Sequence, residues 1–395
     1  NERKIHDEPT PRIGGIAFGL VIIILGWFLF NTSETYTWYF LGAMGMFLLG
    51  AIDDYYAMSW RFKLPIQVFI GLLIIFQFFP HVETVLFFGK VLPLSKWILM
   101  GIFLFWFIGI YNAVNLLDGL DGLAGGFMIL VCIGAALAGN EAFAQLNFVF
   151  ATLLLGFLVF NQRISKLFMG DAGSLFLGFH IAVMPLLFAE SMPFSTILHT
   201  TPFVLLATYL VADTTRVFFT RLAVKKSPMT ADTIHFHHVI LQQSGSYLAS
   251  IGSIYFVTLI STLFAAFSFS NLLSVNFMLG HLALLLFFIL TPPIQTYVPL
   301  FTRLVKPFYS WQINQETKSP FLPRTLFIVF LLIGLLVSMC FYCDIFRVFQ
   351  WQNVLGVSLL LAFIFFSPRD KMVMYVIQLG LVILIAQVTW GAELN

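Results

Sequence analysis

Asn112, Asn115, Asp118 and Asp121 recur every third residue in the stretch Asn112-Ala-Val-Asn-Leu-Leu-Asp-Gly-Leu-Asp-Gly-Leu-Ala-Gly-Gly126. On a helix end, residues three apart are neighbours, so two amides and two carboxylates are predicted to form a slowly drifting polar stripe. Gly119 and Gly122 follow the two acids, where a missing Cβ lets a ligand come close to the backbone. The stretch lies between two long apolar runs. Polar groups beside a membrane are costly unless something binds there.

Four more polar clusters punctuate the chain. They are Arg3-Lys-Ile-His-Asp-Glu-Pro-Thr-Pro-Arg-Ile-Gly-Gly15, the pair Asp53-Asp54, Phe168-Met-Gly-Asp-Ala-Gly-Ser174, and Asp213…Arg221…Asp232-Thr-Ile-His-Phe-His-His238. Asp53 and Asp54 close an apolar run, where the helix dipole disfavours acids and adjacent carboxylates resist joint ionisation unless a cation is near. That favours a functional pair over an ordinary helix end. Asp171, between Gly170 and Gly173, reads alone as a helix cap, but its company with the other acids favours an exposed functional carboxylate. His235, His237 and His238 admit three readings: zinc ligands with Asp232, donors to phosphate oxygens, or a solvated loop. Arg216, Arg221, Lys225 and Lys226 upstream favour the anion reading. Carboxylates without thiols point to a hard cation such as Mg2+ bridging to phosphates. No Walker-type glycine loop is present, which argues against a P-loop nucleotidase. His180 and His281 stand alone within apolar runs and read as packing histidines. Cys340-Phe-Tyr-Cys343 lies inside another and reads as two small core residues rather than a metal or redox pair.

The elements that must position these groups are membrane helices. The chain is 60% hydrophobic and 10% charged with mean hydropathy +0.95. That is the composition of an all-α polytopic membrane protein. Apolar runs predict about 13 spans, near 13–31, 36–52, 64–80, 95–114, 123–139, 144–160, 173–189, 196–212, 247–269, 272–294, 325–344, 352–367 and 372–390. The short run at 123–139 holds small residues and is expected inside the bundle. Between the third and fourth runs, residues 81–94 are too broken to span and predict a short surface β-hairpin around Gly89-Lys90. If the first segment is placed inside, alternation leaves only Lys90, Lys96 and Arg347 of the 20 basic residues outside. This asymmetry assigns the cytoplasmic side, and all five polar clusters fall on it. A transporter would instead gather its charges near the midplane, often in two repeated halves. The residues alone therefore point to phosphoryl transfer between a soluble and a lipid substrate at the cytoplasmic face.

The wording and order of the motifs, RKIHDEPTPRIGG, DD at 53–54, NAVNLLDGLDGLAGG at 112–126, GDAGS at 170–174 and HFHH at 235–238, resemble the polyprenyl-phosphate N-acetylhexosamine-1-phosphate transferases of glycosyltransferase family 4. The resemblance covers roughly the first 240 residues. It implies transfer of a sugar-1-phosphate from a UDP-N-acetylhexosamine to undecaprenyl phosphate with release of UMP. The cofactor would be Mg2+, with Mn2+ able to take its place. The enzyme would lie in the bacterial inner membrane, with membrane lipid around it, no nucleic-acid partner and room for a homodimer. His-Phe-His-His followed by Val-Ile resembles the UDP-N-acetylglucosamine branch. The phospho-N-acetylmuramoyl-pentapeptide branch, the alternative, carries three consecutive histidines and then Phe-Glu. The family also has a helix before its RKIHDEP-type segment, so a chain starting at Asn1 is expected to lack that helix.

By the same resemblance, Asn115 and Asp171 would hold Mg2+ on the diphosphate. Asp118 and Asp121 would shape the site. Asp53, with Asp54, would position or deprotonate the lipid phosphate, which Lys4 and Arg12 would hold. Asn112, Arg221, His235, His237 and His238 would bind the nucleotide-sugar. Thr233 stands where the family commonly has Arg, a change for which Arg221 is expected to compensate. Residues 1–300 form the expected transferase domain. Residues 301–395 form a C-terminal loop and three further helices outside the resemblance.

Overall fold

A computed structural model describes residues 11–30, 34–78, 82, 84–88, 90–92, 94–137, 141–161, 167–190, 197–223, 225, 227, 234–244 and 247–269. Over these residues the chain is a mostly helical membrane protein. The helices are α1 (Gly14–Phe30), α2 (Glu34–Tyr56), α3 (Trp60–Phe78), α4 (Lys96–Leu117), α5 (Leu123–Ala136), α6 (Glu141–Leu158), α7 (Gly170–Glu190), α8 (Thr201–Leu206), α9 (Thr208–Ala223), α10 (Phe236–Ser244) and α11 (Tyr247–Phe269). Three short strands join them: β1 (Thr84–Phe87), β2 (Lys90–Val91) and β3 (Ile197–His199).

The bundle is built around α7, which packs against α1, α2 and α4. Its side chains from Ala172 to Ala189 are apolar with few exceptions, and buried. A helix that is apolar all round belongs inside a bundle. By contrast, α3 presents Phe62, Ile66, Phe69, Leu73 and Phe76 to the outside, and α4 presents Trp97, Ile98, Ile102 and Phe105. Each set follows helical spacing. Stripes this large would be a liability in water and are ordinary against lipid. Among the described residues four helices, Glu34–Tyr56, Trp60–Phe78, Lys96–Leu117 and Gly170–Ala189, are long and apolar enough to cross a membrane. Shorter apolar helices cover Gly14–Phe30, Leu123–Ala136, Ala142–Leu158 and Ser250–Ala266. As its small residues predicted, α5 is buried at every position. The expected spans beyond residue 271, His281, the Cys340–Cys343 pair and the 301–395 segment lie outside the described residues.

Two expectations need correction. The hairpin near 81–94 forms, with Leu86 opposite Val91 and Phe87 opposite Lys90, but it is not alone. A third strand, β3, pairs with β1 in parallel, matching Thr84 with Ile197 and Leu86 with His199. The Thr200 hydroxyl and amide both donate to Leu86 O, and Thr201 Oγ1 accepts the Phe88 N–H at 2.6 Å. The apolar run predicted as one span at 196–212 is therefore a strand and two helices. The break between α8 and α9 falls at Ala207–Thr208, where the Thr208 hydroxyl bonds Val204 O and Leu205 O, carbonyls of α8. Helix α9 then runs on to Ala223, so Asp213 and Arg221 stand on a helix rather than in a loop.

His180 is the satisfied packing histidine its sequence position predicted. Tyr39 Oη lies 2.8 Å from Nδ1, and Asn147 Oδ1 lies 3.1 Å from Nε2. Asn147 spends its amide N–H on Phe143 O, so its oxygen must accept, and His180 carries its proton on Nε2. Phe150 stacks on the ring at 3.7 Å. The network ties α2, α6 and α7 together deep in the bundle.

Candidate active site

The drifting stripe of Asn112 to Asp121 is interrupted. Helix α4 stops at Leu117, Asp118 occupies the position after its last turn, and a turn follows to Gly122, whose φ is 77°. This re-aims the four groups. Asn112 stays one turn inside α4, where its amide donates to Ile108 O at 2.8 Å and to Gln67 Oε1 on α3 at 3.3 Å. Asn115 turns toward α7 and donates to Asp171 Oδ1 at 2.7 Å and Ser174 Oγ at 2.9 Å. Asp118 and Asp121 sit on the turn itself.

That turn is pinned from three sides. Asn161 Oδ1 accepts the Gly122 N–H at 2.8 Å while its amide donates to Leu167 O at 2.9 Å. The Tyr255 hydroxyl donates to Gly122 O at 2.6 Å, and the Tyr247 hydroxyl donates to Asp121 O. Burial pushes the Asp118 carboxyl well above the ordinary carboxylate range, and the nearby charges of Asp171, Asp121 and Asp54 push it further, with Arg12 opposing. Acids from three separate sequence clusters thus crowd one region.

Asp53 and Asp54, adjacent in sequence, face different partners. Asp53 Oδ2 meets Lys63 Nζ at 2.5 Å, and its Oδ1 accepts the Met58 N–H at 2.6 Å. Lys63 also lies 3.7 Å from Asp171 Oδ2, so it is the cation the acid pair needed. Asp54 accepts the N–H groups of Asp171 and Ala172, both at 2.9 Å, with Arg12 at 4.0 Å. The first cluster docks on the fourth: Gly14 and Gly15 N–H donate to Phe168 O and Met169 O at 2.9 and 2.8 Å. A Cβ on Gly15 would fall 2.2 Å from the Gly173 nitrogen, which only glycine permits. Lys4 lies outside the described residues, as do Asp232 and Thr233.

The histidines form the other wall. Asp213 accepts from His235 Nδ1 at 2.9 Å, the Phe236 N–H at 3.0 Å and Arg216 Nη2 at 2.8 Å. Burial alone would raise this carboxyl; the His235 hydrogen bond and the Arg216 guanidinium outweigh it and hold it below its usual range. Arg216 also donates to Ile234 O, fixing the start of α10. So His235–His238 open a short helix rather than ride a solvated loop. His235 is 4% exposed and His237 1%. Yet His235 Nε2 and both ring nitrogens of His237 have no hydrogen-bond partner among the described residues. Burial, with His238, His235 and Arg216 adding and Asp213 opposing, lowers the His237 pKa to about 3, so its ring is neutral. A Cβ on Gly119 would lie 2.7 Å from His237 Nε2. The glycine expected to admit a ligand to the backbone thus admits a histidine to the acid turn.

Asp53, Asp54, Arg12, Asn115, Asp118, Asp121, Asp171, His235, His237 and His238 therefore gather around one region. Asn112 turns back into the bundle, and Arg221 is buried on α9, five residues past Arg216. Lys63, Asn161, Tyr247 and Tyr255 are partners that sequence reasoning did not place in the site. For Lys63 the signal was the pair of cations, Arg61 and Lys63, that follows Asp53 within ten residues.

The donors suit a hard divalent cation: the Asp171 carboxylate, the Asn115 carbonyl oxygen left over by its two donated bonds, and the crowded acids of the turn. Among the described residues no group of three or more His, Cys, Asp or Glu forms a ready metal cage. A hard cation of that kind is commonly taken by one or two protein ligands and completed by a ligand's phosphates.

Residues 36–189 match the model of glycosyl transferase family 4. The match holds Asp53, Asp54, Asn115, Asp118, Asp121 and Asp171, and stops before the histidines. The "Probable undecaprenyl-phosphate N-acetylglucosaminyl 1-phosphate transferase" of Bacillus subtilis is 32% identical over 278 residues, 67% of this chain and 75% of that protein. The undecaprenyl-phosphate alpha-N-acetylglucosaminyl 1-phosphate transferase of Thermotoga maritima is 29% identical over 248 residues, covering 62% and 73% respectively. The phospho-N-acetylmuramoyl-pentapeptide-transferase of Listeria welshimeri is 33% identical over 205 residues, covering only 47% and 63%.

Proposed function

The chain belongs to glycosyl transferase family 4, and we propose that it transfers N-acetylglucosamine-1-phosphate from the UDP-sugar to undecaprenyl phosphate, releasing UMP and starting a cell-envelope glycan. The observation that carries this reading is the convergence of Asp118 with Asp54, Asp121 and Asp171 beside Lys63 and the neutral His237. Such a site offers cation-binding oxygens on one side and uncommitted hydrogen-bonding nitrogens on the other. The site faces the cytoplasm in a multi-pass protein of about 13 spans in the inner membrane, as the basic-residue asymmetry supports.

In the reaction an oxygen of undecaprenyl phosphate attacks the phosphorus that bears the sugar. The bond from that phosphorus to the bridging oxygen breaks, and UMP leaves with the electron pair. Asp171 and the Asn115 carbonyl would hold Mg2+, which would neutralise charge developing on the departing oxygen. Positioning and electrostatics carry most of the remaining acceleration. Asp53, its two oxygens occupied by Lys63 and the Met58 N–H, acts as a positioning group that holds the Lys63 ammonium toward the phosphates. An acceptor phosphate with a second pKa of about 6 is largely dianionic near neutrality and has little need of a base. Arg12, and Lys4 before it, hold the lipid phosphate. His235, His237 and His238 take the nucleotide-sugar, which gives His235 Nε2 and the two His237 nitrogens the partners they lack among the described residues.

The test is purified protein in lipid with undecaprenyl phosphate and, separately, radiolabelled UDP-GlcNAc, UDP-GalNAc and UDP-MurNAc-pentapeptide. Lipid-linked GlcNAc-1-phosphate with stoichiometric UMP, abolished by EDTA and restored by Mg2+, is the expected result. Product from the pentapeptide donor alone would move the chain to the other branch, and uptake into vesicles without product would make it a transporter.

A further inference from the structure

We infer that Asp54 is a positioning residue whose carboxylate clamps the first turn of α7 and thereby aims the Asp171 side chain, while Asp53 alone of the pair faces the reacting groups. This rests on the transferase reading above for its effect on turnover, but not for the clamp itself.

The geometry is specific. The two Asp54 oxygens are divided between two consecutive backbone donors, Oδ1 taking the Asp171 N–H and Oδ2 taking the Ala172 N–H, both at 2.9 Å. Those N–H groups lie in the first turn of α7 and have no acceptor within their own helix. Because Asp54 belongs to α2, the bond pair joins two helices rather than capping one from within. The side chain is only 8% exposed, so the bonds are sheltered from water. A carboxylate at that end also meets the positive end of the α7 dipole, where a negative charge is stabilised. Gly170 fits the same design: its φ is 73°, and a Cβ there would lie 2.6 Å from Asp54 Oδ2. The glycine makes room for the clamp.

The two acids of the pair therefore divide the work. Asp53 reaches Lys63, which in turn reaches the Asp171 carboxylate. Asp54 grips the Asp171 backbone. The Asp171 side chain is fixed from both ends, with Asn115 holding its Oδ1. A residue that acts in this way must lose turnover only in step with the loosening of the start of α7. A metal ligand or base would not tolerate the loss of its charge.

The experiment uses the full chain in lipid nanodiscs, with Asp54→Asn, Asp54→Ala and the unsubstituted protein. Hydrogen exchange of a peptide spanning residues 168–175 reads the clamp, and turnover of UDP-GlcNAc with undecaprenyl phosphate reads its consequence. Asp54→Ala is expected to speed exchange at the start of α7 at least about tenfold and to cut kcat by about 100-fold or more, with KM for the UDP-sugar changed far less. Asp54→Asn is expected to fall between the parent and Asp54→Ala in both exchange and kcat, because Asn keeps one acceptor and turns an amide donor toward the second N–H. If Asp54→Asn loses as much turnover as Asp54→Ala while exchange stays slow, Asp54 touches the reaction itself and the inference fails. Unchanged exchange in Asp54→Ala also overturns it. Accelerated exchange together with no lipid-linked product from the parent protein would leave the clamp standing and remove the transferase reading instead.

Discussion

The two walls of the site are built on opposite terms. On the acid wall, formed by the ends of α2 and α4 and the start of α7, almost every polar group already has a protein partner: Asp53 with Lys63, Asp54 with two α7 amides, Asn115 with Asp171 and Ser174. On the histidine wall, Asp213 pairs with Arg216 Nη2 and His235 Nδ1, but other polar atoms, Arg216 Nε among them, have no partner among the described residues. His235 Nε2 and both nitrogens of His237 are buried without a partner among the described residues. Buried polar groups are nearly always paired, so exceptions mark places where something else binds. The acid wall holds its shape before substrate arrives. In the proposed reaction the histidine wall is completed by it.

The largest effect that would test this contrast is on the acid wall. Asp171→Asn keeps the shape of the side chain and removes the charge that Asn115 and Lys63 share and that the proposed reaction gives to a divalent ion. Turnover is expected to fall on the order of 10³-fold with the protein still folded, read as UMP release across a Mg2+ titration. Parent-like turnover with unshifted Mg2+ dependence would remove Asp171 from the metal-binding role.

Next is His237→Leu, where stability and function should move in opposite directions. Replacing an unpaired buried imidazole with an apolar side chain is expected to stabilise the substrate-free protein by about 1 kcal/mol, since a buried unsatisfied group costs about 1–3 kcal/mol. The same change should lower kcat/KM for the UDP-sugar by about 100-fold. Thermal unfolding with and without UDP-sugar checks both halves. A loss of stability would mean that the histidine is structurally satisfied and that the two walls do not differ as described.

His180→Leu supplies the counter-example. Here the histidine is fully paired, and its removal strands Tyr39 Oη and Asn147 Oδ1 inside the bundle. A destabilisation of about 1–3 kcal/mol is expected, with turnover of the folded fraction changed no more than about threefold. Two buried histidines in one protein should thus respond with opposite signs to the same substitution.

Much of this was legible in the residues. The acids announced themselves because a carboxylate beside a membrane is expensive, and α5 announced its burial by its small residues. What was hidden depended on contacts distant in sequence. Ile197–His199 is apolar enough to pass for the start of a helix, and only its pairing with Thr84–Leu86 makes it a strand. Asn112 looked equivalent to Asn115 by spacing, but the end of α4 at Leu117 sends the two amides to different neighbours. Lys63 counted only as a basic residue on one side of the membrane, and Arg216 only as a positive charge upstream of the histidines. Their roles are set by the positions of Asp53, Asp171 and Asp213, to which spacing alone gives no access.

The smallest expected effect is in pH dependence, and it separates the histidine wall from the rest. Folded His237 titrates at about 3 and its unfolded counterpart near 6.5. Between those values the unfolded chain binds a proton that the folded chain does not. Stability therefore rises with pH through that window, and is lost as pH falls from 6.5 toward 3. Asp213, held below its ordinary value of 3.8, loses its contribution only in more acidic solution, below that value. The groups acting on the His237 ring, His238, His235, Arg216 and Asp213, stay in place in His237→Leu. Unfolding measured between about pH 4.5 and 7 should thus show a shallower slope in His237→Leu than in the parent, the difference vanishing above about pH 7 where both states are neutral. An equal slope in both proteins would show that His237 takes up its proton in the folded state, and so has found the partner that its wall of the site otherwise lacks.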